Sequence, residues 1–251
     1  MDVNSDSEEE LQVLGKQLKL VVVGDGASGK TTLITRYAEG EFDRDYIQTV
    51  GVDFFRKSVI LPGDVEANVH LWDIGGQTLG GEMLERYLYG CQAVLFVYDI
   101  TNVSSFENLE DWFIQVKKVV SGQQMVPPHY ALVANKTDLH HMCVVGTEKH
   151  VRFAHEHEMT SYFVSAKTGE SVNQCFLRII SAVLGIRLTF KDLEKHRAVL
   201  RANVEPVGDG RRHTGYKAAN SAVVQTSLND SRSTSGLKQN VSSSNLVCTL
   251  L

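Results

Sequence analysis

The segment "GDGASGKTT", which follows the apolar run "LKLVVV", contains the residues best suited to do chemistry. Gly24, Gly29, Lys30 and Thr31 match G-x-x-x-x-G-K-[ST] between a strand-like run and a helix-like run. In this pattern backbone N–H groups wrap a phosphate, the lysine reaches the β- and γ-phosphates, and the hydroxyl binds Mg²⁺. The pattern predicts nucleotide binding, but it does not choose between ATP and GTP, or between a kinase, a motor ATPase and a switch. The expected nucleotide contacts here are Gly24, Asp25, Gly26, Ala27, Ser28, Gly29, Lys30, Thr31 and Thr32.

The segment "NKTD" (135–138), at the end of the apolar run "YALVANK", indicates which base is bound. Asp138 can accept hydrogen bonds from N1–H and the 2-amino group of guanine, and adenine has neither donor. An unpaired buried carboxylate costs several kcal/mol, so Asp138 is expected to reject ATP. "NKTD" alone also fits a turn with an Asx cap, but its place after the phosphate-binding pattern disfavours that reading.

The segment "SAK" (165–167) follows the next strand-like run, and the Ala166 N–H is expected to meet guanine O6. It strengthens the assignment of "NKTD" to guanine recognition. The expected base-side contacts are Asn135, Lys136, Asp138, Ser165, Ala166 and Lys167.

The segment "WDIGGQ" (72–77) supplies the residues expected to act at the γ-phosphate. Asp73 fits the position that holds Mg²⁺ through water, the Gly76 N–H is placed for the γ-phosphate, and Gln77 is the candidate catalytic residue that orients the attacking water. A Gly-Gly turn before a helix is the alternative interpretation.

Thr49, in "DYIQTVGVDFF", is expected to bind Mg²⁺ and the γ-phosphate only when the third phosphate is present. The expected Mg²⁺ ligands are therefore Thr31, Thr49 and, through water, Asp73.

Short β-branched runs alternating with amphipathic segments must position these motifs. "LKLVVV", "VHLWDI", "AVLFVYDI" and "YALVANK" are typical of buried parallel strands, and Pro62, Gly63 and Asp64 predict a hairpin. "SFENLEDWFIQVKKVV" and "ESVNQCFLRIISAVLG" place apolar residues three or four apart and predict two helices, the second ending at Gly185. The alternation predicts a three-layer α/β domain with a mostly parallel sheet.

The composition bounds the organisation of the chain. Of 251 residues, 43% are hydrophobic, which is enough for one domain with a core. We expect an acidic disordered leader at 1–16, the folded domain at 17–187, and a tail at 188–251 that is first partly helical and then flexible. The net charge of −5 gives no indication of nucleic-acid binding. Scattered cysteines, without a signal sequence or long apolar run, predict an intracellular protein that does not span a membrane.

From about Leu18 to Gly185 the sequence resembles a Ras-like small GTPase, and more narrowly a Rab. "WDIGGQT" and "GDGASGKT" resemble the divergent Rab twenty-eight branch. The resemblance implies the G domain of the P-loop NTPases, with a six-stranded, mostly parallel sheet, one antiparallel edge strand and about five flanking helices. The resemblance also implies two mobile segments, which the family calls switch I, here around Thr49, and switch II, here after Asp73.

The resemblance also implies roles for residues outside the motifs. Phe42 lies where the family stacks an aromatic ring on guanine, and Tyr46 where a tyrosine covers the phosphates. The residues expected to be read by effectors are Phe54, Trp72 and Tyr87. Gly26 lies where the family packs the loop against Gln77. The implied partners are an activating protein, an exchange factor and effectors, and the chain is expected to be a monomer.

Switch II departs from the usual Rab sequence "WDTAGQE" at three positions. Ile74 and Gly75 replace threonine and alanine, and we expect Gly75 to make the loop more mobile. Thr78 replaces glutamate, which puts recognition by general Rab regulators in doubt.

The C-terminal "CTLL" fits C-a-a-X, and a terminal leucine favours geranylgeranylation of Cys248. One lipid gives marginal, reversible membrane binding. We therefore expect a cytoplasmic protein, peripheral on a membrane, that a prenyl-binding carrier escorts.

Together the motifs predict a switch that cycles between GDP and GTP, hydrolyses GTP slowly with Mg²⁺, and recruits effectors in membrane trafficking. A non-hydrolysing scaffold loaded with nucleotide is the alternative, suggested by Ile74 and Gly75. A P-loop kinase or ATPase is disfavoured by "NKTD".

Overall fold

The computed structural model describes residues 15–42, 47–77, 82–123 and 126–195. Residues 1–14 of the expected leader, Tyr46, Thr78 and residues 196–251 of the expected tail, which include Cys248, lie outside the described residues. No helix within the described ranges combines the length and the apolar character needed to cross a membrane.

One six-stranded sheet forms the centre of the domain, with strand order β2-β3-β1-β4-β5-β6. Its strands are β1 (Lys16–Val23), β2 (Val52–Leu61), β3 (Val65–Ile74), β4 (Ala93–Asp99), β5 (His129–Asn135) and β6 (Thr160–Phe163). Among the strands of the described residues, only the β2–β3 pair is antiparallel, which confirms the predicted hairpin and the antiparallel edge. The carboxyl ends of the parallel strands therefore share one edge of the sheet, where ligands bind in such folds.

Seven α-helices and one short 3₁₀-helix lie in the described ranges. They are α1 (Lys30–Ala38), α2 (Glu82–Leu88), α3 (Val103–Glu107), α4 (Leu109–Gln123), the 3₁₀-helix Thr137–Met142, α5 (Thr147–Glu156), α6 (Val172–Leu184) and α7 (Phe190–Lys195). Gly185 ends α6 in the left-handed conformation, at φ 69°, as the sequence predicts.

Two buried clusters, one on each face of the sheet, account for the three layers. Alternate residues of β1 point to opposite faces, so that Leu20 joins one cluster and Val21 the other. Helices α1 and α6 cover the first face, and α2, α3, α4 and α5 cover the second. The layered α/β fold predicted from the alternation is confirmed.

The predicted helix over "SFENLEDWFIQVKKVV" is divided in two at Asn108. Asn102 caps the start of α3 by accepting hydrogen bonds from the N–H groups of Ser104 and Ser105, at 3.1 and 3.4 Å. Asn108 ends α3, and α4 begins at the next residue. The apolar periodicity continues across this junction, because Phe106 and Leu109 are both buried. Periodicity therefore predicts the buried face but not the break.

Candidate functional site

Loops that follow β1, β3, β5 and β6 meet at the carboxyl edge of the sheet. They carry the motifs at 24–31, 73–77, 135–138 and 165–167. The structure thus brings together the segments that the sequence separates by up to about 140 residues. We call residues 24–31 the phosphate loop and residues 165–167 the base loop.

Glycine is required at two positions of the phosphate loop because neighbouring atoms leave no room for a side chain. A Cβ on Gly24, at φ 135°, would lie 2.2 Å from the Val97 carbonyl oxygen. A Cβ on Gly29, at φ 85°, would lie 2.5 Å from Asn135 Nδ2. Both the backbone angles and the close contacts favour glycine, so the motif spacing has a steric cause.

Lys30 lies inside the curve of the phosphate loop. Its ammonium donates hydrogen bonds to the carbonyl oxygens of Gly24 and Asp25, at 2.9 and 2.8 Å. The side chain is buried, and burial lowers the pKa of Lys30, an effect that the nearby carboxylates of Asp73 and Asp25 oppose. A cation held here by backbone carbonyls is pre-positioned for an anionic ligand.

The three residues predicted to bind Mg²⁺ form one hydrogen-bonded cluster. Thr31 Oγ1 lies 2.9 Å from Thr49 Oγ1, and both hydroxyls donate to Asp73 Oδ2, the bond from Thr49 being 3.2 Å long. Asp73 is fully buried. Burial raises the pKa of Asp73, and hydrogen bonding from Thr31 acts in the opposite direction.

The surroundings of the Asp73 carboxylate indicate whether the cluster suits a cation. Within the described part of the chain, its second carboxylate oxygen, Oδ1, has no hydrogen-bond partner. A buried carboxylate oxygen without a partner is unfavourable, and a hard divalent cation with oxygen ligands would compensate it. The oxygen-only donor set therefore fits Mg²⁺ and is unsuited to zinc, which favours nitrogen and sulfur.

Switch I and switch II pack backbone against backbone at Gly75. The Gly75 N–H donates to the Gly51 carbonyl at 2.9 Å, and a Cβ on Gly75 would lie 2.5 Å from the Thr49 carbonyl oxygen. The expected mobility of this loop stays a prediction. The structure gives Gly75 a separate role, which is to let the segment that carries Thr49 approach closely.

Gly76 packs against the phosphate loop in the same manner. A Cβ on Gly76 would lie 2.1 Å from the Gly26 backbone nitrogen. Gln77 follows immediately and is exposed. The loop containing the candidate catalytic glutamine therefore starts against Gly26, and the contact of Gln77 itself with Gly26 that the resemblance implies stays a prediction.

Asn135 joins the phosphate loop to the base loop. Its Nδ2 donates to the carbonyls of Ser28 and Gly29, at 3.0 and 3.3 Å. Its Oδ1 accepts from the N–H groups of Lys136 and Ala166, at 2.8 and 3.1 Å. The Ala166 N–H, predicted to meet guanine O6, is thus bonded to Asn135 in this structure.

Asp138 lies beside the base loop, with its carboxylate oriented by that loop. Ser165 Oγ donates to Asp138 Oδ1 at 2.6 Å, and Lys167 Nζ lies 3.8 Å from Oδ2. The side chain of Asp138 is 13% exposed. A carboxylate this shielded favours a ligand that offers N–H donors.

Lys136 takes the left-handed backbone conformation at φ 67° and extends across the phosphate loop. Its ammonium donates to the Ala27 carbonyl at 2.9 Å and to Asp99 Oδ2 at 2.7 Å. Thr101 donates its N–H and hydroxyl to Asp99 Oδ1, at 2.8 and 2.7 Å. Sequence reasoning missed Asp99, although an aspartate at the end of the apolar run "AVLFVYDI" was an available signal.

A second contact that sequence reasoning missed anchors the phosphate loop to α4. Asp25 Oδ2 accepts a hydrogen bond from Asn108 Nδ2 at 2.6 Å, and Asp25 Oδ1 accepts one from Trp112 Nε1 at 3.1 Å. Trp112 is fully buried. The residue at the break between α3 and α4 thus helps to hold the phosphate loop in place.

The aromatic residues expected to be read by effectors form one group on the β2–β3 hairpin and α2. Phe54 and Trp72 are register partners, with ring centroids 4.5 Å apart in an edge-on arrangement, and the Tyr87 ring lies 6.3 Å from Trp72. Phe54 is 62% exposed. The ammonium of Lys19 lies 3.6 Å from the Trp72 ring centroid and completes the patch.

Histidine and cysteine residues give no sign of a metal centre in the part of the chain that the structure describes. No group of three His, Cys, Asp or Glu side chains there could hold an ion. His157 instead pairs with Glu110 at 2.9 Å, and Cys91, Cys143 and Cys175 form no disulfide within the described residues.

Comparison with known proteins agrees with this geometry. The Ras family model matches residues 19–185. The chain is 41% identical over 203 residues to "Ras-related protein Rab-28" of Caenorhabditis elegans, covering 81% of this chain and 79% of that relative. It is 33% identical to Rab-13 of Canis lupus familiaris and 34% identical to Rab-13 of Rattus norvegicus. Each of these matches spans 167 residues, which is 66% of this chain and 79% of the relative.

Proposed function

The chain belongs to the Ras family and is a Rab-type small GTPase that binds GTP and GDP and hydrolyses GTP; from this premise we propose which residues perform each step. The cluster of Thr31, Thr49 and Asp73 carries the proposal, because it joins the phosphate loop to both switch segments. Family membership favours neither a non-hydrolysing scaffold nor a P-loop kinase.

In the proposed site, Thr31, Thr49 and, through water, Asp73 would hold Mg²⁺. The ion neutralises phosphate charge when it is bound. The partnerless oxygen of buried Asp73 supports this assignment. Thr49 belongs to switch I, so its presence in the cluster depends on that segment being closed.

Hydrolysis in this proposal depends on positioning. Lys30 neutralises charge on the β- and γ-phosphates, the Gly76 N–H contacts the γ-phosphate, and exposed Gln77 orients the attacking water. Unaided turnover is expected on the order of 10⁻⁴–10⁻³ per second, as in Ras, with acceleration by an activating protein that adds an arginine.

Guanine recognition is assigned to Asp138 and to the base loop. The carboxylate accepts from the N1–H and 2-amino groups of the base, and Ser165 holds it in position. Phe42 stacks on the base from the other side. The partly exposed patch of Phe54, Trp72 and Tyr87 serves effectors.

Membrane association is assigned to a single prenyl group on Cys248, which lies in a C-a-a-X sequence. A single chain binds membranes reversibly, so the protein would exchange between a membrane and the cytosol with a prenyl-binding carrier. Trafficking through effectors recruited to that membrane completes the proposed role.

Release of fluorescently labelled GDP, with and without EDTA, tests the Mg²⁺ assignment. Chelation should accelerate release at least about tenfold, equivalent to about 1.4 kcal/mol, in the wild type. Thr31→Asn should release GDP fast in both conditions. Equal wild-type rates with and without EDTA would contradict the assigned ligands.

Fractionation of cells tests the membrane assignment separately. Cys248→Ser should move the protein to the soluble fraction, whereas Cys143→Ser, which changes an exposed thiol of the folded domain, should not. Capture of partners with Gln77→Leu against Thr31→Asn would then separate effectors from exchange factors.

A further inference from the structure

We propose that Arg36 is a positioning residue that sets how long the nucleotide is retained, by fixing the base loop against the segment after α1 that carries Phe42. The proposal rests on the proposed guanine site. It concerns a side chain in the last turn of α1, outside all the nucleotide-binding motifs.

Arg36 donates three hydrogen bonds from three different nitrogen atoms to three backbone carbonyls. Nε binds the Ala166 carbonyl at 2.9 Å, Nη2 binds the Lys167 carbonyl at 2.5 Å, and Nη1 binds the Gly40 carbonyl at 2.9 Å. Two of these acceptors lie 130 and 131 residues away in sequence. One planar guanidinium therefore holds consecutive carbonyls of the base loop and the end of α1.

The acceptors lie on the two segments expected to enclose the guanine ring. Ala166 and Lys167 belong to the base loop, and Gly40 precedes Phe42 by two residues. The guanidinium carbon lies 5.8 Å from the Phe42 ring centroid, within cation–π range. Arg36 thus contacts both the base-loop side and the aromatic side of the proposed base site.

Arginine chemistry suits this task, and lysine chemistry does not. The guanidinium presents five N–H donors in a rigid plane, whereas an ammonium is a compact charge on a flexible stem. Charge-assisted hydrogen bonds are about twice as strong as neutral ones. A lysine would keep the favourable charge at the helix C-terminus but would not bridge three carbonyls.

The contacts of Arg36 are expected to affect how fast the nucleotide is released. In the proposed site guanine lies between the base loop and Phe42, so one of these segments has to move when the base leaves, and Arg36 contacts both. Loss of the three bonds should therefore raise the release rates of GDP and GTP by similar factors. Within the described residues, Arg36 donates its hydrogen bonds to carbonyls of the base loop and of Gly40 and not to the Thr31, Thr49 and Asp73 cluster, so the increase should persist when Mg²⁺ is chelated.

The test measures release of labelled GDP and of a labelled non-hydrolysable GTP analogue from wild type, Arg36→Ala and Arg36→Lys. Both variants should release each nucleotide at least tenfold faster, with and without EDTA. Arg152→Ala is the matched control, because it removes an exposed arginine whose side chain is 69% accessible on α5. It should release at the wild-type rate.

A double-mutant cycle with Phe42→Ala separates positioning from a general loss of stability. If Arg36 acts through the base-enclosing segments, the double variant should release more slowly than the product of the two single effects predicts. Circular dichroism and thermal unfolding with bound GDP confirm that each variant is folded. Wild-type release rates in folded Arg36→Ala and Arg36→Lys, or strictly multiplicative effects, would overturn the inference. A wild type that fails to bind GDP would instead overturn the proposed function.

Discussion

Ser165 donates a 2.6 Å hydrogen bond to Asp138, so the residue proposed to recognise guanine is oriented by the base loop. This contact joins the ends of two neighbouring strands, β5 and β6. The side chain of Asp138 is 13% exposed, and one of its carboxylate oxygens accepts the hydrogen bond from Ser165. The remaining acceptor sites of the carboxylate therefore point in a defined direction.

Asp138→Asn should lower the affinity for GTP at least about a hundredfold and raise the affinity for xanthosine triphosphate. The amide replaces an acceptor by a donor, and xanthine has a carbonyl where guanine has the 2-amino group. Competition binding with both nucleotides measures the exchange of specificity. Ser165→Ala is the companion variant, and it should weaken GTP binding without favouring the xanthine base. Unchanged GTP preference in Asp138→Asn would remove this residue from base recognition.

Gln77→Leu should bind GTP normally. In the presence of an activating protein, its rate of GTP hydrolysis should be at least about tenfold lower than that of wild type. Leucine keeps the side-chain volume but has no group to orient water. Single-turnover hydrolysis with and without cell extract provides the measurement, and GDP affinity serves as the control. A stimulated rate equal to that of wild type would exclude Gln77 from the mechanism.

Gly75→Ala should weaken GTP retention more than GDP retention. The added Cβ would meet the Thr49 carbonyl at 2.5 Å, so switch I must shift and withdraw the Thr49 hydroxyl from the Asp73 cluster. Because the Thr49 contact is proposed to depend on the third phosphate, the ratio of GTP to GDP affinity should fall about tenfold or more.

Gly122→Ala is the matched control for this substitution. Gly122 lies in α4, where an added Cβ meets no heavy atom within 4 Å. Alanine is the better helix former, so this variant should keep wild-type affinities and gain slightly in stability. An unchanged affinity ratio in Gly75→Ala would show that switch I closes without needing glycine at this position.

His150 should make the folded domain sensitive to acid. It is fully buried against Tyr98, whose hydroxyl lies 3.0 Å from Nδ1, and burial lowers the pKa of His150 to about 4 from its ordinary value of 6.5. The unfolded chain therefore binds a proton in the window between these values while the folded chain does not. The stability contribution of neutral His150 is present above pH 6.5 and is lost as the pH falls towards 4, by up to about 3 kcal/mol.

Denaturant unfolding between pH 4 and 7 at saturating GDP measures this loss. His150→Gln should flatten the dependence on pH, whereas His155→Gln, which changes an exposed histidine of the same helix, should leave the wild-type slope. An equal slope in wild type and His150→Gln would assign the acid sensitivity to other groups.

The sequence predicts the layered fold because β1, β4 and β5 are largely continuous apolar runs, while two of the segments between strands place apolar residues three or four apart. It predicts the phosphate loop and the "NKTD" segment because their chemistry requires particular residues at fixed spacing. Arg36 and Asp99 escape such reasoning. Arg36 donates to backbone carbonyls that are distant in the sequence, and Asp99 accepts a hydrogen bond from Lys136 in another loop. These partners become visible only when the sheet order is known.

The break at Asn108 illustrates the same limit on a smaller scale. Asn108 fits the helical pattern, and neither glycine nor proline marks the junction. Asparagine suits this position because its side-chain amide donates a hydrogen bond to Asp25, which is 83 residues distant in the sequence. A local pattern cannot reveal a partner that the fold supplies.

The contact between Asp25 and helix α4 has a consequence for exchanging parts between related proteins. A phosphate loop transplanted from a relative without this aspartate would leave the indole N–H of fully buried Trp112 without its acceptor, at a cost of about 1–3 kcal/mol. The loop and the helix thus form one interchangeable module. A chimaera should inherit Asp25, Asn108 and Trp112 together, or replace all three.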